Sequence, residues 1–200
     1  MSDEVAKIIA LAAKEGLAPL GLRRRGRSRL WIDDHGWWTI NVEFQASGFA
    51  KGCYLNVGYQ HLWVRRNHLV FEEPERPLGG STFVRYEGDN DDFAVAIGPV
   101  VASAVEAVEG RRVNHGEGIE SLQNVASSPD DLNAGIAAAI LGQTDLARRR
   151  LTGSVHSAYR DQADAFLELS NQEASSLAHR SITETRQLLR LPEHWSDWRA

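Results

Sequence analysis

Residues Leu20–Trp63 read LGLRRRGRSRLWIDDHGWWTINVEFQASGFAKGCYLNVGYQHLW, and the reading of this stretch decides the fold. It is the one long segment in which apolar and polar residues alternate. A period of two marks strands with one buried face, because successive side chains point to opposite sides of a sheet. Parity sets Leu30 and Ile32 on one face with Trp38, Ile40, Val42 and Phe44. That arrangement calls for a three-residue loop, Asp34-His35-Gly36, with glycine in the left-handed position; a two-residue turn has the wrong parity. The pairing then puts Asp33 opposite Trp37, Leu30 opposite Ile40 and Arg27 opposite Glu43. A second loop, Gly48-Phe49-Ala50-Lys51, sets Gln45 opposite Tyr54, Phe44 opposite Leu55 and Val42 opposite Val57.

Upstream, Ser2 and Asp3 cap a helix whose Val5, Ile8, Ile9 and Ala12 follow helical spacing, and Gly16 and Pro19 end it. A glycine-bracketed basic run, Gly21 to Arg27, leads into the first strand. Downstream, Leu69 to Phe71 reads as a short edge strand and Thr82 to Tyr86 as a further one, with Pro74, Pro77 and Gly79-Gly80 barring anything longer between them. Asn90-Asp91-Asp92 opens a helix carrying Phe93, Ile97, Val101, Ala104, Val105 and Val108, kinked at Gly98-Pro99.

From about Gly116 the pattern is helical. Ser128-Pro129-Asp130-Asp131 is a cap with a first-turn proline, ahead of Leu132, Ile136, Ala139 and Ile140. Thr144 to about Ser157 is the return helix, and Ala137–Leu151 faintly resembles one tetratricopeptide-type hairpin. Asp161 to Leu191 reads as one long helix closed by Pro192, and the tail tryptophans Trp195 and Trp198 are expected to dock on the body. The expected class is α+β: an antiparallel meander of three to five strands packed on an N-terminal helix (residues 1–112), then an α-helical half (113–200).

Two hundred residues with a net charge of −5 suffice for a buried core without staples. Residues 1–100 carry 12 Lys/Arg against 13 Asp/Glu and residues 101–200 carry 10 against 14, so neither half has the basic excess of a dedicated nucleic-acid domain. The single cysteine, Cys53, excludes an internal disulfide framework; its phase with Leu55 and Val57 predicts a buried structural thiol. The N-terminus lacks the basic residues of a signal peptide, and no run is read as reaching the roughly eighteen apolar residues of a membrane span. A cytoplasmic protein is expected.

The first half, about residues 5–110, resembles the domain-of-unknown-function 4304 family of bacterial proteins. The likeness lies in the short N-terminal helix, then Leu20-Gly21-Leu22-Arg23-Arg24-Arg25-Gly26-Arg27, the strand residues Val42, Phe44, Gln45 and Ser47, and Leu55-Asn56-Val57-Gly58. Leu22 stands where the family usually has phenylalanine, a volume-tolerant core change. The resemblance implies a fold type and a bacterial setting; the family has no established activity, so it carries over no catalytic residue.

The search for chemistry is largely negative. Seven histidines are dispersed without zinc-ligand spacing, His61 and His68 being the nearest pair in sequence. Gly116-Glu117-Gly118-Ile119-Glu120-Ser121 lacks the lysine and the preceding strand of a phosphate loop and reads as a connection. Glu72, Glu73 and Glu75 alternate with prolines and read as a solvated run. No catalytic residue, metal ligand or cofactor is assigned.

What remains is the second face of the meander, where parity sets Arg27, Arg29, Trp31, Asn41, Glu43, Gln45, Tyr54 and Asn56 together with Asp33, Trp37, Thr39 and Gln60. Large aromatics, arginine and amides make up recognition surfaces. Equally, cross-strand polar pairs stabilise any solvated sheet face, and the C-terminal helices could cover part of it. Three function classes stay open: a non-catalytic protein-binding module of the immunity or adaptor type, an RNA-binding protein using the Arg23–Arg29 run, and an enzyme with a dispersed site. The first is preferred. A protein partner is expected, the acidic total disfavours nucleic acid, no membrane association is read, and the oligomeric state is left open.

Overall fold

The computed structural model describes residues 3–47, 50–72, 82–153 and 155–193. The chain divides into two compact units, one made of Met1–Gln60 with Leu69–Arg112 and the other of His61–His68 with Val113–Ala200.

The first unit is built on a five-stranded antiparallel sheet in the order β1-β2-β3-β4-β5, every strand beside its neighbour in sequence. The strands are β1 (Arg23–Arg24), β2 (Leu30–Asp34), β3 (Trp38–Ala46), β4 (Gly52–His61) and β5 (Phe83–Arg85). β1 lies in the basic run, which the alternation pattern left outside the sheet; Arg23 pairs with Ile32 and Arg24 with Trp31.

The β2–β3 register departs from the parity expectation. Leu30 pairs with Glu43, Trp31 with Val42, Ile32 with Asn41 and Asp33 with Ile40. The His35 N–H donates to the Trp38 carbonyl at 3.0 Å, so the turn is the two residues Gly36 and Trp37. Gly36 has φ 86°, left-handed backbone that favours glycine, and the Trp37 N–H donates across it to the His35 carbonyl at 3.1 Å. The strand is therefore shifted by three residues against the expected pairing. An odd shift turns every side chain over. Trp31 goes inward, 4% exposed, and Asp33 with it, while Ile32 goes to the other face.

The core holds Trp31, Trp38, Ile40, Val42, Phe44, Cys53, Leu55 and Val57 from the sheet. Helix α1 (Asp3–Leu17) adds the buried stripe Val5, Ile9, Ala13 and Leu17. The cap expected at Ser2 lies outside the described residues. Burial pushes the Cys53 thiol up to about 11, as befits an unreactive core group, although Arg29 nearby pulls weakly the other way.

After β5, Asp89 caps helix α2 (Asn90–Ala96), its carboxylate accepting the N–H groups of Asp91 and Asp92. The expected kink falls at Ile97, a single residue in right-handed conformation between two helical segments. Ile97 ends α2, α3 (Gly98–His115) starts at once, and both Val100 and Val101 donate to the Ile97 carbonyl. Pro99 sits in the first turn of α3, where no N–H is needed. Gly16 of α1 admits Val101 of α3: a Cβ there would stand 2.3 Å from its Cγ1. Contrary to the sequence expectation, one run does have the length and composition of a membrane span. Asn90–His115 reaches a mean hydropathy of 1.5 over eighteen residues, 39% of that window being buried in the fold.

The second unit is a set of helices around α5 (Asp131–Ile140), in which every residue from Leu132 to Ile140 is buried. A helix buried on all sides is mostly apolar, its one buried amide, Asn133, being hydrogen-bonded, and its alanines and Gly135 let neighbours approach closely. Its cap is Asp130, accepting from the Asn133 N–H, and not the expected Ser128. α6 (Thr144–Leu151) returns beside it, shorter than expected; a Cβ on Gly135 would lie 2.6 Å from Leu151, so the start of α5 meets the end of α6. α4 is Gly118–Ala126, so the glycine-rich connection becomes helical at its second glycine.

The single long helix expected over Asp161–Leu191 is two. α7 (Arg160–Asp164) stops, Glu168 takes φ 66°, and α8 (Asn171–Leu189) begins afresh on a capping box between Ser170 and Glu173. The segment His61–His68 belongs to this unit: Leu62, Trp63 and Val64 are fully buried, and the Trp63 indole N–H donates to Asn133 Oδ1 at 2.7 Å. The tail tryptophans lie outside the described residues.

Candidate functional site

The polar face of the sheet falls into a covered half and an open half. Over the covered half lies the strap Leu69–Glu72. It is not the edge strand expected for Leu69–Phe71; among the described residues its ladder contact is an isolated bridge between Glu72 and Tyr59. The Asn41 amide donates to the Val70 carbonyl at 2.7 Å, and the Val70 N–H donates back to Gln60 Oε1 at 3.0 Å. Thr39 Oγ1 donates to Asn41 Oδ1 at 3.2 Å, and Gly58 lies directly beneath Phe71. Asn41 is thus 0% exposed, a buried amide paired as buried amides must be.

The register places the remaining site residues as follows. Trp31 is in the core. The Arg29 carbonyl accepts the Phe44 N–H, which sets Arg29 on the core-facing side of the sheet edge, away from the polar face. Arg27 is exposed, but in the loop between β1 and β2. Of the basic run, Arg24 is spent on that loop, with Nε donating to the Ser28 carbonyl at 2.6 Å and a terminal nitrogen to the Arg27 carbonyl at 3.1 Å.

Glu43, Gln45, Tyr54 and Asn56 do come together, and they form the open half. The Asn56 amide donates to Gln45 Oε1 at 2.9 Å and, more weakly, to Glu43 Oε2 at 3.5 Å. Tyr54 is two residues away on the same face, 40% exposed, its ring 4.5 Å from that of Phe83 on β5. All five stand on paired strands, so their positions are set by the ladder and not by a loop.

Two polar clusters are visible only in the fold. In the first unit, Asp33 Oδ2 accepts from Arg112 Nε at 2.7 Å and from His35 Nε2 at 2.8 Å, and Arg112 also donates to the Leu20 carbonyl at 2.7 Å. Burial alone would raise the Asp33 carboxyl; the hydrogen bonds and charges of His35 and Arg112 outweigh it and hold the group below the ordinary carboxylate value. His35 stacks on Trp38 with centroids 4.1 Å apart. This cluster ties α3 to the β2–β3 hairpin, and its carboxylate is already engaged.

In the second unit, His115 bonds Ser121 through Nδ1 and meets His61 Nε2 through its own Nε2 at 3.3 Å, with His61 stacked on Trp63. The nearest histidine to His61 is therefore His115 and not His68. All three groups are buried, and among the described residues no three His, Cys, Asp or Glu side chains are placed to hold a metal ion. A cleft of about 360 Å³ in the same unit is lined by Arg66, Asp130, Asp131, Asn133, His156 and Tyr159. Its carboxylates are occupied, Asp130 by Asn133 and Asp131 by Arg150. Arg112 and His115 were beyond reach of a sequence reading, standing 79 and 54 residues from Asp33 and His61 with no motif linking them.

No family model matches the chain, and no curated protein or solved structure matches it either.

Proposed function

We propose that the protein is a non-catalytic protein-binding module of the immunity or adaptor type, engaging one partner through Glu43, Gln45, Tyr54 and Asn56 beside Phe83. The observation that carries the reading is an exposed tyrosine packed on a second ring, next to amides already held in place by one another. Rigid aromatics with pre-set polar neighbours lose little entropy on binding, which is why such groups dominate interface energetics. Trp31, Asn41, Arg27 and Arg29 drop out of the surface. A bacterial, cytoplasmic setting and kinship with the domain-of-unknown-function 4304 proteins belong to the same proposal and rest on the residues quoted for them.

RNA binding is the weaker reading. Arg24 is committed to its own loop, and Glu43 would face a phosphate backbone.

A photo-crosslinking amino acid placed at Tyr54 or Gln45, with Arg149 on α6 as the control position, tests the proposal in cells that make the protein. The expected result is one discrete protein adduct shared by positions 54 and 45, absent at 149, and weakened by Asn56→Ala. Adducts common to all three positions, adducts to RNA, or none at all would overturn it.

A further inference from the structure

We infer that what this face receives from its partner is a cationic side chain, the guanidinium of an arginine or the ammonium of a lysine. The inference rests on the protein-binding proposal and specifies its chemistry. Asn56 spends both amide hydrogens, one on Gln45 and one on Glu43, so it presents its carbonyl oxygen outward. Gln45 spends its carbonyl on Asn56 and keeps its two amide N–H donors, fewer than the acceptor positions left on Glu43 and Asn56. A carboxylate has about four acceptor positions, and Glu43 gives up one of them, to a long contact.

The surface therefore offers acceptors in excess of donors, around a carboxylate that forms no ion pair among the described residues. The ring of Tyr54, 40% exposed, lies 4.5 Å from that of Phe83, and an aromatic face attracts cations and repels anions. Arg85 of β5, on the same face as Phe83, is turned to Glu87 at 3.7 Å. Acceptors, negative charge and aromatic faces together form a cup for one positive group. An acidic peptide would meet repulsion at the same spot.

The test uses the full-length protein and N-acetyl-arginine methylamide as the probe, with N-acetyl-lysine, N-acetyl-glutamate and N-acetyl-norleucine methylamides beside it. Chemical shifts of the Asn56 and Gln45 side-chain amides are followed by NMR. The arginine and lysine probes should move both amides along saturating curves, and the glutamate and norleucine probes should not. In Glu43→Gln the midpoint should rise about fivefold, near the upper end for one exposed charge pair, while Glu120→Gln on α4 should leave it unchanged. Still amides, an equal response to the glutamate probe, or indifference to Glu43→Gln would overturn the inference. An adduct at position 54 combined with unresponsive amides defeats only the cationic assignment; responsive amides without an adduct defeat only the binding module.

Discussion

At the scale of single residues, Asp33 is the most consequential side chain in the sheet unit. It sits in the core face beside Ile40, where a lone carboxylate would be costly, and it is stable there because Arg112 and His35 both reach it. Its folded-state pKa is depressed, so its contribution to stability is present above the unfolded value of about 3.9 and is lost as pH falls through the folded one. Asp33→Asn should therefore destabilise the protein by roughly 1–3 kcal/mol at pH 7, less than a fully buried pair because the Arg112 side chain is 31% exposed. The difference between the two proteins should shrink as the pH is taken below 4. Urea denaturation of both at pH 7 and pH 3 measures it, and an unchanged gap would mean that the carboxylate charge is not what stabilises the hairpin.

At the scale of elements, the strap Leu69–Glu72 and strand β4 are held together by an absence. A Cβ on Gly58 would lie 2.6 Å from the Cα of Phe71 and 2.7 Å from its Cβ, so backbone would have to move. Gly58→Ala should cost roughly 1–3 kcal/mol. It should also expose the Val70 amide, which now donates to Gln60, to hydrogen exchange at a much higher rate; an unaltered Val70 rate would show that the strap tolerates the displacement. This strap is also where legibility ran out. The meander of β2, β3 and β4, the later strand β5 and the helical second half were readable because hydrophobic period and turn residues agree there; β1, inside the basic run, was not. The face was not, since Leu30-Trp31-Ile32 is apolar at both parities and the deciding fact is a turn whose glycine stands first. Nothing in the run Leu69–Glu72 announces that it lies over Asn41. The break before α8 was readable, because Ser170 and Glu173 have capping-box spacing, but the long apolar stripe on either side obscured it.

At the scale of the whole molecule, neither unit is one continuous stretch, and the helical unit draws on His61–His68 from the middle of the sheet unit's sequence. Trp63 is the anchor of that segment, 1% exposed and bonded to Asn133. Trp63→Ala should cost about 3–5 kcal/mol, the range for large aromatic truncations. Thermal unfolding followed by near-ultraviolet circular dichroism should show a lower midpoint; an unchanged midpoint would mean that the helices close without the indole. The same connectivity bears on synthesis. Trp63 leaves the ribosome 70 residues before Asn133, an interval of roughly 4–14 s at ordinary elongation rates. Throughout that wait Trp63 lacks the helix that holds its indole, and Leu62, Trp63 and Val64 form an apolar tripeptide of the kind that chaperones bind.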